Sequence, residues 1–310
     1  MTKRQDTPLF LMLFVLLGLI VVLTACQMQP EVPAVTPTAE LPTTAIPSPT
    51  AEASEPVTPE PIQPSPTPDC RLQGGTVSSE QIASEELGDT LYFDVYLPPC
   101  YGADPEIRYP VVYLLHGLSY RQDQWQRLGL VSTMDALIAA GEIPPFIAVM
   151  PLESPFTAPQ VSQFGNALIS DLIPLVDGRY QTLPEKDYRV IAGVSRGAAW
   201  AMRLGFEHYK LFSRVGAHSL PLFEADTRHL SNWLALAGEE LPLYFIDIGT
   251  NDPEWKTAED FANLLDANGI PHEWYLFSGG HTEEYWSSHL ETYLRWYSAD
   301  WGEAEGNEVK

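Results

Sequence analysis

Between about residues 71 and 301, runs of apolar, strand-favouring residues alternate with segments of helical periodicity. This alternation favours a mostly parallel central sheet with helices on both faces. The pattern predicts strands at 76–84, 90–97, 109–115, 145–151, 188–193, 213–218, 242–248 and 272–277. It predicts helices at 130–141, 164–177, 196–208, 227–237, 256–268 and 283–298. The first two strands have no helix between them, which predicts an antiparallel entry into the sheet.

The first 26 residues have the pattern of an export signal. Lys3 and Arg4 precede an apolar run from Leu9 to Leu23, about as long as a signal-peptide core and short for a membrane span. The run ends in Leu23-Thr24-Ala25-Cys26, which resembles the lipobox of bacterial lipoproteins. The resemblance implies that 1–25 is a signal peptide and that Cys26 is lipidated. An uncleaved anchor helix is the alternative, and both place the remaining chain outside the cytoplasm.

A proline-rich segment separates this leader from the strand–helix pattern. Twelve of the 43 positions from 27 to 69 are proline, and no residue among them is basic. Such a segment buries too little apolar surface to offset its ordering entropy, so 26–69 is predicted to be a disordered tether. Residues 70–301 are then the folded domain, and the polar residues 302–310 are predicted to be a disordered tail.

Charge and cysteine content exclude several classes of partner and site. The chain has 17 basic and 41 acidic side chains, a net charge of −24, which repels nucleic acids and anionic headgroups. Membrane contact is therefore expected through the lipid anchor only. No Cys-x-x-Cys pair suggests a metal site, and no cofactor is required. Cys70 and Cys100 flank the early strands and are predicted to form a disulfide, with two free thiols as the alternative.

The motif Gly193-Val194-Ser195-Arg196-Gly197 lies between a strand-like run and a helix-forming stretch. A strand-to-helix turn of this kind holds the serine in a strained backbone conformation, and the two glycines let the chains pass without a Cβ clash. The hydroxyl is then exposed at the carboxyl end of the sheet, beside a helix N-terminus that favours negative charge. Ser195 is the predicted nucleophile.

A serine hydroxyl is a weak nucleophile until a base removes its proton, so a histidine is needed beside it. His281 follows the last predicted strand through Ser278-Gly279-Gly280, on a turn from which its ring reaches over the sheet edge. The other six histidines lie on earlier strands and loops, inside helical patterns or, as His272 does, at the start of the last strand. His281 is the predicted base, and His272 is its closest competitor.

The base needs a carboxylate that fixes its tautomer and stabilises the imidazolium. Asp252 lies in the loop Gly249-Thr250-Asn251-Asp252-Pro253, just after a predicted strand. Asp247 is the rival, but it lies within that strand and is expected to make a structural hydrogen bond. The order Ser195, Asp252, His281 is the order of an α/β-hydrolase.

Two further features concern the oxyanion and the substrate. The N–H of Arg196 and an N–H from the loop His116-Gly117-Leu118-Ser119 are predicted oxyanion donors, with a simple tight turn as the alternative for that loop. Trp125, Arg196 and the 154–164 loop are predicted pocket walls. No insertion is long enough for a lid, so we expect an open, shallow site.

Several of these segments together resemble the esterase D family, which includes feruloyl and acetylxylan esterases, enterochelin esterases, S-formylglutathione hydrolases and mycolyltransferases. The segments are Tyr109–Gly117, Trp125, Asp171–Pro174 with Tyr180, the serine motif, and Gly279-Gly280-His281 with Tyr285-Trp286. The resemblance implies the α/β-hydrolase fold and a triad of Ser195, Asp252 and His281. It also implies that Leu118 and Arg196 supply the oxyanion N–H groups.

These features predict a serine carboxylesterase that works outside the cell through an acyl-enzyme. Its expected substrates are feruloyl, acetyl or other small acyl esters of small molecules or glycans. Acyl transfer to an alcohol by the same fold is one alternative. A non-catalytic carbohydrate-binding module is another, but such a module has no need of a serine, an acid, a histidine and an oxyanion loop together.

Overall fold

Eight strands form one sheet in this computed structural model, which describes residue 70 and residues 73–153, 157–236 and 239–301. The strands are β1 (Thr76–Ser84), β2 (Asp89–Leu97), β3 (Val111–Leu115), β4 (Ile147–Pro151), β5 (Arg189–Val194), β6 (Arg214–His218), β7 (Leu243–Gly249) and β8 (His272–Phe277). The predicted leader (1–25), tether (26–69) and tail (302–310) lie outside the described residues. Each predicted strand is present, with bounds that differ by no more than two residues.

The sheet is antiparallel at one edge and parallel elsewhere. β1 pairs with β2 and β2 pairs with β4 in antiparallel register, which confirms the predicted entry. From β4 the spatial order is β4-β3-β5-β6-β7-β8, and each neighbouring pair is parallel. Because these six strands end at the same edge, the loops that follow them meet there.

Strand β5, which leads into the serine motif, lies inside the sheet between β3 and β6. Its six residues are all buried, as expected of a strand whose two faces are covered. The Ile191 side chain joins the core on one face, whereas Val190, Ala192 and Val194 join the core on the other. Both cores therefore hold the strand that carries the motif.

Helices cover the two faces of the sheet. Those described are α1 (Gln124–Arg127), α2 (Leu130–Ala139), α3 (Phe164–Ala167), α4 (Ile173–Arg179), α5 (Arg196–Glu207), α6 (Leu230–Leu234), α7 (Trp255–Ala267) and α8 (Glu283–Tyr297). The predictions for α2, α5, α7 and α8 agree with the structure within two residues. Helix α1 was not predicted, since a four-residue helix is too short to show helical periodicity.

The helix predicted at 164–177 is interrupted. A π-helical segment, Leu168–Leu172, separates α3 from α4. Pro174 has no N–H to bond the carbonyl of Ser170, so the regular hydrogen-bond pattern cannot run through this region. Within the π-helical segment, the carboxylate of Asp171 accepts hydrogen bonds from the Ser84 hydroxyl and from the Glu86 N–H.

The helix predicted at 227–237 is wrong in start and length. The chain forms a 3₁₀ turn at Glu224–Arg228, and the short α6 follows it. Asp226 lies in that turn, is buried, and accepts hydrogen bonds from the guanidinium of Arg203 on α5. This ion pair attaches the turn to α5 ahead of the predicted helix start.

A disulfide joins Cys70 to Cys100, the loop residue that follows β2. It ties the start of the described domain to the antiparallel edge of the sheet. Among the residues that the structure describes, no helix is both long enough and apolar enough to span a membrane.

Candidate active site

Ser195 occupies a strained turn between β5 and α5. Its backbone has φ 53° and ψ −121°, outside the regions that non-glycine residues ordinarily adopt. The turn also requires close backbone approach at both glycines. A Cβ on Gly193 would lie 2.2 Å from the carbonyl carbon of Gly197, and a Cβ on Gly197 would lie 2.2 Å from the carbonyl oxygen of Leu115. The motif thus forms the predicted strand-to-helix turn.

The structure brings Ser195, His281 and Asp252 together in one hydrogen-bonded line. The Oγ of Ser195 lies 2.7 Å from Nε2 of His281, and Nδ1 of the same ring lies 2.8 Å from a carboxylate oxygen of Asp252. The Asp252 side chain is fully buried, whereas the His281 side chain is 29% exposed. A carboxylate only accepts hydrogen bonds, so Nδ1 carries the proton and Nε2 faces the serine as an acceptor.

Contacts between two loops bring the acid and the histidine together. Asp252 follows β7, and His281 follows its parallel neighbour β8. The N–H of Thr250 donates to the carbonyl of Phe277 (2.8 Å), and the N–H of Asn251 donates to the carbonyl of Gly279 (2.7 Å). These bonds extend the pairing of β7 and β8 past the strand ends. The loops are therefore held side by side where the two side chains meet.

Hydrogen bonds hold Asp252 in its charged form. Burial alone would raise the pKa of this carboxyl. Hydrogen bonds from His281, from the Glu254 N–H (3.0 Å) and from the Ser219 hydroxyl outweigh burial, so the pKa of Asp252 is lowered below its ordinary value. The side chain is an anion at neutral pH, as a partner for an imidazolium must be.

Ser219 and Trp286 support the Asp252–His281 pair, and the sequence predicted no role for either residue. Ser219 is buried, has φ 53°, and accepts a hydrogen bond from Nε1 of Trp286 (3.0 Å). The Trp286 ring meets the His281 ring edge-on, with 5.2 Å between centroids. Trp286 thus contacts the base directly and Asp252 through Ser219. The one sequence signal was Tyr285-Trp286 among the family motifs.

The rival acid, Asp247, faces a different histidine. Its carboxylate is fully buried and lies 2.5 Å from Nδ1 of His218. It also accepts hydrogen bonds from the hydroxyls of Tyr285 (2.6 Å) and Tyr293 (2.8 Å). Asp247 therefore makes structural hydrogen bonds within the core, as expected. His272 lies at the amino end of β8, the opposite end of the strand from His281.

The predicted oxyanion loop follows β3 and is held by several hydrogen bonds. The N–H of Gly117 donates to Oε1 of Gln124 (2.8 Å), and the Gly117 carbonyl accepts from Nδ1 of His116 (2.8 Å). Burial lowers the pKa of His116 below its ordinary value, so the ring stays neutral. Leu118 is half exposed and lines a cavity with Ser195. Arg196 is the first residue of α5, where an N–H has no partner within the helix.

Trp125 is not a pocket wall, so that prediction is wrong. Its side chain is completely buried, and its Nε1 donates to the carbonyl of Leu115 (3.1 Å). The ring packs edge-on against His218 beneath the sheet edge. Trp125 therefore supports the end of β3 from within the core and cannot contact a substrate.

A cavity of about 350 Å³ opens over the serine and the histidine. It is lined by Leu118, Ser195, Arg196, Pro221, Phe223, Pro253, Glu254 and His281. A second cavity of about 700 Å³ shares Arg196 and Phe223 with it and is also lined by Pro159 and Gln160. Two of the predicted walls, Arg196 and part of the 154–164 loop, thus line cavities at the site. Residues 154–156 of that loop lie outside the described residues.

The sequence matches the model of one protein family. Residues 84–297 match the family model Esterase, described as "Putative esterase". The endo-1,4-beta-xylanase/feruloyl esterase of Xylanibacter ruminicola is 36% identical over 155 residues, which make up 46% of this chain and 21% of that enzyme. The match therefore spans about a fifth of the length of that relative.

Solved structures share the fold. A ferulic acid esterase has a TM-score of 0.66 and 24% identity, covering 73% of this chain and 98% of its own. A mutant feruloyl esterase module from Clostridium thermocellum, complexed with sinapinate, has a TM-score of 0.64 and 19% identity. The match covers 80% of this chain and 97% of that module. Both comparisons support the α/β-hydrolase fold. The family match extends over more than two thirds of the sequence, and this chain belongs to the Esterase family.

Proposed function

We propose that this chain hydrolyses small acyl esters through an acyl-enzyme formed on Ser195. The observation that carries the proposal is the line of two hydrogen bonds from Ser195 through the His281 ring to the buried carboxylate of Asp252. The base thereby faces the nucleophile in the tautomer that accepts a proton. Water is the final acyl acceptor.

Acylation follows from these contacts. Nε2 of His281 takes the hydroxyl proton while Oγ of Ser195 bonds to the ester carbonyl carbon, and the carbonyl electron pair moves onto its oxygen. The N–H groups of Leu118 and Arg196 stabilise that oxyanion. When the tetrahedral intermediate collapses, the bond to the alcohol oxygen breaks, and His281 returns its proton to the leaving group. Asp252 stabilises the imidazolium in between.

Deacylation repeats these steps with water. His281 takes a proton from a water molecule, whose oxygen bonds to the acyl carbon and forms a second tetrahedral intermediate. Collapse of this intermediate breaks the bond to Oγ, and His281 returns the proton to Ser195. The acid product leaves, and the hydrogen-bonded line is restored.

The cavity favours a small acyl group with an apolar surface. Leu118, Pro221, Phe223 and Pro253 supply apolar walls beside the serine. A volume of about 350 Å³ is at the small end of ligand sites. The relative from X. ruminicola is named a feruloyl esterase, and the C. thermocellum module was complexed with sinapinate. We therefore propose acetyl and hydroxycinnamoyl esters as the substrates.

A panel of esters tests the activity and the acyl preference together. We expect the wild type to hydrolyse p-nitrophenyl acetate and methyl ferulate, with long-chain p-nitrophenyl esters turned over much more slowly because they exceed the cavity. Ser195→Ala should abolish turnover of every ester in the panel. Hydrolysis of long-chain esters at the acetate rate would contradict the acyl assignment, and turnover by Ser195→Ala would contradict the nucleophile.

We also propose that the domain works outside the cytoplasm, anchored through a lipid on Cys26. The apolar run and lipobox-like residues of the leader support this location. The disulfide between Cys70 and Cys100 supports it independently, because disulfides persist in oxidising compartments.

Replacing Cys26 tests the anchor. Cys26→Ala should remove the acceptor thiol, so the protein should no longer incorporate an alkyne-labelled palmitate fed to the expressing cells. Thr24→Ser serves as a conservative control two positions before the cysteine, and this variant should keep its label. Persistent labelling of Cys26→Ala would contradict the lipoprotein assignment.

A further inference from the structure

Glu153 lies two residues after β4 and is bound on two sides, although the reaction described above does not use it. Its side chain is buried, and its carboxylate accepts from both Nε and Nη2 of Arg196. Its backbone N–H donates to Nε2 of His116 (2.9 Å). Glu153 follows β4, His116 follows β3 and Arg196 follows β5, and these three strands are neighbours in the sheet. Glu153 is therefore joined to the ends of both other strands.

The contact with His116, together with a hydrogen bond from the Tyr120 N–H to the Gly117 carbonyl (3.2 Å), orients one oxyanion donor. The ring accepts from Glu153 at Nε2 and donates from Nδ1 to the carbonyl of Gly117. That carbonyl belongs to the same peptide unit as the N–H of Leu118. In a trans peptide the C=O and N–H bonds point in opposite directions, so holding the carbonyl fixes the direction of the N–H.

The contact with Arg196 anchors the residue that supplies the other donor. Two parallel hydrogen bonds from a guanidinium to one carboxylate fix the orientation of both groups. Nη2 also donates to the carbonyl of Thr157 (2.7 Å), and the guanidinium lies 5.5 Å from the centre of the Phe223 ring. The side chain of Arg196 is thus held at several points, which restrains its own backbone N–H at the start of α5.

We propose that Glu153 is a positioning residue whose carboxylate holds the Arg196 oxyanion donor in place through the guanidinium, while its backbone N–H orients His116 beside the Leu118 donor. This inference rests on the proposed function, because it assigns Glu153 a part in stabilising the oxyanion of that reaction. Glu153 itself acts through the two donors and does not contact the substrate.

The purely structural alternative is a buried ion pair that serves stability alone. Removing one partner of such a pair destabilises a protein, whereas replacing both partners by neutral groups is often neutral or stabilising. A positioning role predicts a different result, since neutral replacements of the side chain would keep the fold and the backbone contact with His116 and still lose the alignment of the Arg196 donor. Kinetics and stability therefore separate the two roles.

Glu153→Gln provides the first test. We expect kcat for p-nitrophenyl acetate, per active site titrated with a fluorophosphonate, to fall about 10- to 100-fold. KM should change less than about twofold, because the oxyanion forms only in the transition state. The affinity for a trifluoromethyl ketone, which forms a tetrahedral oxyanion on the serine, should fall by a factor similar to that of kcat.

Asp177→Asn is the matched control. Asp177 pairs with the buried guanidinium of Arg189 at the amino end of β5, the other end of the strand that leads to Ser195. Six residues at about 3.3 Å each put this pair roughly 20 Å from the nucleophile. The control should lower the melting temperature and leave kcat per active site unchanged.

The double variant Glu153→Gln/Arg196→Met covers the case in which the single variant does not fold, because it leaves no unpaired charge. It should show the same loss of kcat and of trifluoromethyl ketone affinity. A wild-type kcat per active site in either variant would overturn the positioning role while leaving the proposed function intact. An inactive wild type would overturn the proposed function and this inference with it.

Discussion

His281→Ala is expected to lower kcat for p-nitrophenyl acetate by about four orders of magnitude or more, with the fold intact. The ring is the group within hydrogen-bond distance of the Ser195 hydroxyl, and it also stabilises the anion of Asp252. Without it, no base removes the serine proton. Initial rates at saturating substrate measure this loss, and circular dichroism checks the fold.

His272→Ala is the control for that experiment. His272 lies at the amino end of β8, where Nδ1 contacts the carbonyl of Ile270 (3.0 Å). It is in the same strand–turn unit as His281 but at the other end of the strand, so its loss should leave kcat within about twofold. If His272→Ala were inactive and His281→Ala active, the assignment of the base would be wrong.

Asp252→Asn should lower kcat by about 10⁴-fold. An amide can donate a hydrogen bond where the carboxylate only accepted one, which favours the tautomer of His281 with an unprotonated Nδ1. Nε2 then carries the proton and no longer accepts from the Ser195 hydroxyl. The stabilisation of the imidazolium is lost as well. Kinetics across pH 6 to 9 measure the loss, and intact melting behaviour would show that the fold is retained.

Asp247→Asn distinguishes the two carboxylates. Asp247 accepts hydrogen bonds from the hydroxyls of Tyr285 and Tyr293 inside the core and contacts His218, so its replacement should lower the melting temperature. The kcat of the molecules that remain folded should stay near the wild-type value. Full activity in Asp252→Asn together with inactivity per folded molecule in Asp247→Asn would reverse the assignment.

The fold and the three central side chains could be predicted because the chain topology alone brings them together. Ser195, Asp252 and His281 each follow the carboxyl end of a parallel strand, and in such a sheet those ends lie at one edge. Within each loop, the distance of a side chain from the strand end then indicates which residue takes part in the site. No side-chain contact had to be known in advance.

The misassigned and missing residues depend on contacts that periodicity and the order of strands along the chain do not encode. Trp125 follows the oxyanion loop in the sequence, but a four-residue helix turns its ring into the core. Glu153 and Arg196 are 43 positions apart and meet because β4 and β5 flank β3. Ser219 reaches Asp252 because β6 lies beside β7. Only the order of strands in space reveals these pairs.

Covalent labelling of Ser195 tests the central claim most directly. A fluorophosphonate added to the purified full chain should increase its mass by one phosphonyl group, and peptide mapping should place that group on Ser195. Ser195→Ala should not be labelled, His281→Ala should be labelled at least about 1,000-fold more slowly, and His272→Ala should be labelled like the wild type. An unlabelled wild type, or a label on another residue that persists in Ser195→Ala, would contradict the assignment of Ser195 as the nucleophile.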